Sequence, residues 1–146
     1  MSPIERLIDE QACTRLIISY AQLLDAGQWA DVAALYMPDG RMSRPTAPDD
    51  FVEGRDAILA GFLARPARAS RHICANICVD VLTAQAARAT SQILLFVGEA
   101  DPAGGLPHQS ALPPMVGTYQ DQLVKTAQGW RFAERRGALD FRPAKA

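Results

Sequence analysis

Hydrophobic and polar positions alternate in two regimes along the chain. From Ile4 to Leu24 the apolar residues Ile4, Leu7, Ile8, Leu16, Ile17, Tyr20, Leu23 and Leu24 follow helical spacing. Ser2, Pro3 and Glu5 precede that run as a cap, a first-turn proline and a capping-box acid, and Gly27 is a plausible stop. A second short helix is predicted from Gln28 to Tyr36, with Trp29, Val32, Ala33 and Tyr36 on one side. Pro38-Asp39-Gly40 reads as a turn, Arg41 to Arg44 as a short strand, and Pro45 to Asp50 as a loop. Gly54 to Ala64 predicts a third helix that buries Ile58, Leu59 and Phe62 and ends at Pro66.

From Ser70 the period changes to two. Arg71 to Leu82 is expected to be a strand with Ile73, Ala75, Ile77, Val79 and Val81 on one face. His72, Cys74, Asn76, Cys78 and Asp80 would then share the other. Ala87 to Glu99 predicts a second long strand, and Asp101 to Pro114, rich in Gly and Pro, a loop. Val116 to Lys125 and Trp130 to Phe141 predict a hairpin turning near Gln128-Gly129. Helices first and antiparallel strands later imply an α+β domain rather than a wound parallel sheet. The expected architecture is three N-terminal helices against a curved antiparallel sheet, spanning residues 1–146 as one domain.

Composition narrows the function. The 146 residues are 49% apolar and 21% charged, with a formal net charge of −1. That is ordinary globular composition with room for a core. It offers no field for holding nucleic acid or an anionic membrane. The start of the chain lacks a basic region followed by an apolar run, and no apolar stretch approaches bilayer length. The expectation is a cytoplasmic protein. Three cysteines are an odd number, and Cys74 and Cys78 on one strand would stand about 13 Å apart, too far for a disulfide. Two histidines and no close Cys pair argue against a metal centre. Cys74 and Cys78 are read as packing residues. No phosphate-binding loop, dinucleotide fingerprint, nucleophile elbow or zinc-protease motif occurs.

Several residues carry candidate chemistry, each beside a plainer reading. Asp25 ends an apolar helix, where the dipole disfavours negative charge; it is either a solvated loop acid or a perturbed carboxylate. His72 opens a long strand, either as a structural histidine or as a general base. Tyr20 lies about 140° around an ideal helix from Asp25, so the two converge only if the helix bends. Arg135 stands in Glu134-Arg135-Arg136, either solvated or binding an anion inside the sheet's concavity. Asn76 could line a cavity with His72, and Trp29 is a further binding candidate. His108 sits in the Gly/Pro loop, which could close over a pocket.

The pieces together resemble the nuclear transport factor 2-like superfamily and, within it, the SnoaL-like group. The resemblance rests on Tyr20 to Asp39, on Gly54-Arg55-Asp56-Ala57-Ile58, on Arg71-His72, and on Gly117-Thr118-Tyr119 through Trp130-Arg131-Phe132 to Asp140-Phe141. It implies a cone-shaped fold, but the superfamily mixes enzymes with binding modules. Scytalone dehydratase and hexachlorocyclohexane dehydrochlorinase use an aspartate–histidine pair, and Asp25 and His72 fall at the matching places. Bile-acid 7α-dehydratase has a tyrosine five residues before its aspartate, as Tyr20 stands to Asp25. In the dehydrochlorinase the closing strand has an arginine where Arg135 falls. Ala89-Thr90-Ser91-Gln92 lacks the second histidine of scytalone dehydratase and the acid of the bile-acid enzyme. The resemblance implies a lyase or isomerase with Asp25, His72 and Tyr20 as catalytic candidates and Arg135, Asn76 and Trp29 as substrate-binding ones. It needs no metal or organic cofactor. The alternatives are a noncatalytic ligand- or protein-binding module and a small subunit of an oxygenase. A homodimer is expected, because Ile73, Ile77, Val79 and Val81 would face away from a pocket lined by His72.

Overall fold

The computed structural model describes residues 1–110 and 113–144. Helix α1 spans Pro3–Asp25, α2 Trp29–Ala34 and α3 Arg55–Leu63. The strands are β1 Tyr36–Arg44, β2 Ala47–Glu53, β3 Arg68–Val81, β4 Ala86–Glu99, β5 Met115–Thr126 and β6 Gly129–Phe141. They form one sheet in the order β2-β1-β6-β5-β4-β3.

The capping box is present: Ser2 Oγ accepts from the Glu5 N–H at 3.2 Å, and the Ser2 N–H donates to Glu5 Oε2 at 2.7 Å. The helix does not bury the stripe expected at its start. Ile4, Leu7 and Ile8 are exposed, while Asp9, Cys13, Leu16, Ile17, Tyr20, Ala21 and Leu24 face the sheet. Asp9 is tolerated inside because Lys125 Nζ and Trp130 Nε1 donate to it at 2.7 and 3.0 Å. Cys13, Cys74 and Cys78 are free.

The sheet departs from expectation in three places. First, the segment from Pro45 is a hairpin rather than a loop, because β2 begins at Ala47 and pairs antiparallel with β1. Second, Pro38-Asp39-Gly40 is no turn; it lies within β1, where the pairing with β6 slips between Tyr36 and Arg41. A Cβ at Gly40 would approach Phe132 O to 3.0 Å, so only a glycine lets the kinked strand pass. Third, the sheet is mixed. β3 to β6 form an antiparallel meander, and β6 returns beside β1 in the parallel sense.

A bulge in β3 decides which residues face the helices. Ala75 pairs with Gln92 and Cys78 with Thr90, so Asn76 and Ile77 together oppose Ser91. Asn76 carries the bend at φ 49°, a conformation Asn tolerates better than most residues. Alternation therefore changes parity there. His72 and Cys74 point inward before the bulge, and Ile77, Val79 and Val81 point inward after it, packed on the helix-side core. The expected outward apolar row does not exist: Ile73 is 47% exposed, but Ile77, Val79 and Val81 are covered. Asn76 turns out to solvent and donates to Gln92 Oε1, so it does not join His72 in a cavity.

The concave face of the sheet and the inner faces of α1 and α3 leave a funnel. Pro45 closes over one side of it. Gly137 permits this approach, since a Cβ there would stand 2.8 Å from the proline ring.

Candidate active site

Asp25 and His72 meet at the helix end and the opening of β3. His72 Nδ1 lies 2.6 Å from Asp25 Oδ1, and the His72 N–H donates to Asp25 Oδ2 at 2.8 Å. Ser70 Oγ, one inward position earlier on β3, donates to Oδ1 at 3.0 Å. The two side chains are 8% and 5% exposed. Burial pushes the Asp25 carboxyl up, but the His72 side chain, the His72 N–H, the charge of His72 and the Ser70 hydroxyl outweigh it, and the group lies below its ordinary value. An ionised carboxylate can only accept, so the imidazole proton sits on Nδ1. Nε2 has no protein partner among the described residues, and in the neutral ring it carries the free lone pair.

His72 lines a cavity of about 350 Å³. Its wall is mostly apolar, with Leu24, Met42, Phe62, Ile93, Met115, Tyr119 and Leu139 among the lining residues. Gly117 on β5 also lines it, and a Cβ there would stand 2.9 Å from Ala138 O. Ser43 also faces the cavity; its hydroxyl is buried and has no hydrogen-bond partner among the described residues, a ready donor or acceptor for a bound molecule. At the rim stand Arg44, Arg65 and Arg68, and no Asp or Glu is among the lining residues. Burial, and next the charge of Arg44, lower the Arg65 guanidinium below its ordinary range.

Tyr20 gives its ring to the cavity wall, on an unbroken helix. Its hydroxyl is not in the Asp25–His72 unit; it pairs with the Tyr36 hydroxyl at 3.0 Å. Arg135 is inside the cone but behind the wall. It is 1% exposed, and its Nε and Nη2 donate to Asp121 Oδ1 and Oδ2 at 3.0 and 3.3 Å. Its guanidinium lies 3.8 Å from the Tyr119 ring centre and 4.4 Å from that of Tyr20. Burial pushes the Asp121 carboxyl up to about 6, against the pull of Arg135. Trp29 stacks on Phe62 at 5.5 Å and is outside the cavity lining. His108 lies by the 97–110 segment, apart from this cavity.

Sequence reasoning overlooked Ser70, Asp121 and the rim arginines. Ser70 shares the strand parity of His72, and Asp121 is an acid on the apolar face Gly117, Tyr119, Leu123; both signals were local. Arg65 and Arg68 are near neighbours in the chain, but Arg44 is remote from them, and only folding brings the three to one opening. No group of His, Cys, Asp and Glu suited to a metal occurs among the described residues.

A SnoaL-like domain model matches residues 5–136, nearly the whole chain. The chain belongs to the SnoaL-like family. No curated protein matches this SnoaL-like chain in sequence. Solved structures share its fold. A scytalone dehydratase-like protein from Novosphingobium aromaticivorans is 23% identical, with TM-score 0.79 over 99% of this chain and 93% of that one. A type 2 hexachlorocyclohexane dehydrochlorinase is 16% identical, with TM-score 0.80 over 99% and 94%. A protein from Catenulispora acidiphila in complex with S-DNPA is 24% identical, with TM-score 0.67 over 89% and 92%. At these identities the likeness establishes the nuclear transport factor 2-like cone. No described helix of this SnoaL-like domain is long and apolar enough to cross a membrane.

Proposed function

We propose that this protein is a lyase or isomerase that needs no cofactor and acts on a small, largely apolar cyclic substrate. The observation that supports this most is the 2.6 Å contact between Asp25 and His72 at the wall of an apolar cavity. In the proposed reaction, Nε2 takes a proton from a carbon next to a carbonyl or similar activating group. The electron pair left behind forms a double bond. Either a hydroxyl on the adjacent carbon departs as water, taking that proton from the imidazolium and leaving His72 neutral, or the imidazolium returns the proton at another carbon. Asp25 holds the ring orientation and stabilises the imidazolium. Tyr20 supplies wall and, through the Tyr36 hydroxyl pair, a neutral donor chain. Arg135 acts from behind that wall on the rings of Tyr20 and Tyr119, while Asn76 and Trp29 take no part in holding the substrate. The proposed protein works as a cytoplasmic homodimer.

Mass spectrometry of co-purified ligand, followed by assays on hydroxylated polycyclic or steroid-like carbonyl compounds, tests the reading. His72→Ala removes the base and should lower turnover by about 10²–10⁴-fold. Asp25→Asn can donate to Nδ1 and so favours the wrong tautomer; it should cost a similar factor, with little further loss in the double variant. Full turnover by a folded His72→Ala protein would refute the mechanism. Tight ligand binding without any turnover would favour a binding module.

A further inference from the structure

The rim of the cavity holds more positive charge than the protein uses. Arg44 ends β1, while Arg65 and Arg68 flank the single connection from α3 to β3, so two separate connections deliver three arginines to one opening. None of the three has an ion-pair partner among the described residues, whereas Arg41 has two and Arg88, Arg135 and Arg136 have one each. Glu99 stands opposite Arg68 in register but forms no ion pair with it. Arg65 is the most constrained. Its guanidinium lies 4.5 Å over the Phe62 ring, and its Nε is buried with no acceptor among the described residues. A buried guanidinium N–H left unpaired costs free energy, and three like charges at one rim repel. Gly61 leaves space for Arg44, whose Nη2 would stand 3.8 Å from a Cβ at that position.

A ligand oxyanion would satisfy the orphaned donor and relieve the repulsion together. We infer that the cavity takes a molecule with an apolar, ring-sized body and an oxyanion, the oxyanion held at the rim by Arg65 with Arg44 and Arg68, and the body extending toward His72. This rests on the reading of the cavity as the substrate site and specifies the substrate class. Fork-shaped guanidinium donors suit a carboxylate, sulfonate or phosphate. The role given to Arg135 from sequence, anion binding, thereby passes to residues from other elements.

A fluorescence titration at low salt with two probes of matched body tests it without any need for turnover. One is 8-anilinonaphthalene-1-sulfonate; the other is uncharged N-phenyl-1-naphthylamine. The intact protein should bind the sulfonate about 10- to 100-fold more tightly. Arg65→Gln should remove most of that preference and leave the uncharged probe's affinity unchanged, with smaller effects from Arg44→Gln and Arg68→Gln. Arg65→Lys, which keeps the charge but not the fork, should recover part of it. Competition by 2-naphthoate and 2-naphthyl phosphate then ranks the oxyanions. Equal affinity for the two probes, no sulfonate binding, or parallel loss of both in Arg65→Gln would overturn the inference. His72→Ala should keep the sulfonate preference. A protein that discriminates the probes yet shows no base chemistry would sink the catalytic reading and leave this one standing.

Discussion

The Asp121–Arg135 pair allows a sharp stability test. Both side chains are almost completely shielded from water, at 0% and 1% exposure, and they meet through two hydrogen bonds. Asp121→Asn removes the counter-charge while Arg135 stays enclosed by Tyr20, Tyr119 and Phe132. Breaking a buried pair on one side costs about 3–5 kcal/mol, because the remaining charge is desolvated and uncompensated. Unfolding entropy near 2.1 cal/mol/K per residue gives a chain of 146 residues roughly 0.3 kcal/mol/K. The melting temperature should therefore fall by about 10–16 °C. Asp80→Asn is the control. It breaks the exposed Arg88 pair, which should be worth about 0–1 kcal/mol. Removing both charges, as Asp121→Leu with Arg135→Met, should cost less than Asp121→Asn alone. Thermal melts by circular dichroism, with urea titrations for the free energies, measure all of these. A loss below about 1 kcal/mol for Asp121→Asn, or a double variant as unstable as the sum of its singles, would refute the account of Arg135 as a charge bound within the protein.

Other expectations follow from the same geometry. Asp25 has a carboxyl lowered in the folded state, so its contribution to stability is present above the ordinary aspartate value of 3.8 and is lost as pH falls through the folded value; urea titrations across the acid range should show a limb that Asp25→Asn flattens. Asn76 holds the β3 bulge at positive φ, so Asn76→Val should destabilise by about 1–2 kcal/mol while Asn76→Gly is nearly neutral; equal losses in thermal melts would count against the bulge argument. The proposed dimer draws support from Ile73 and Phe96, cross-strand neighbours exposed at 47% and 39% near Arg71 on the outer sheet face. Light scattering should give twice the chain mass, and a monomer at high concentration would contradict it.

Local signals were legible in the residues alone. Apolar spacing, the Ser2–Glu5 capping box and the Gly129 turn depend on neighbours within a few positions, so α1, α3 and the long strands were found close to their observed bounds. The family was legible too, because its motifs keep their order along the chain. Strand parity was a different matter. The residues around Asn76 alternate without a break, and the change of face comes from pairing with β4, where two residues oppose one. The parallel β1–β6 contact likewise joins segments nearly a hundred residues apart, which no local pattern encodes. Partner choice was also tertiary. Arg135 reads the same in sequence whether it meets Asp121 or a ligand, and folding placed Asp121 opposite it in register. Arg44, Arg65 and Arg68 are ordinary arginines until the β1–β2 and α3–β3 connections converge at one opening. Periodicity determines which faces can be buried; the ladder hydrogen bonds and the enclosed charges determine which face is, and what it meets.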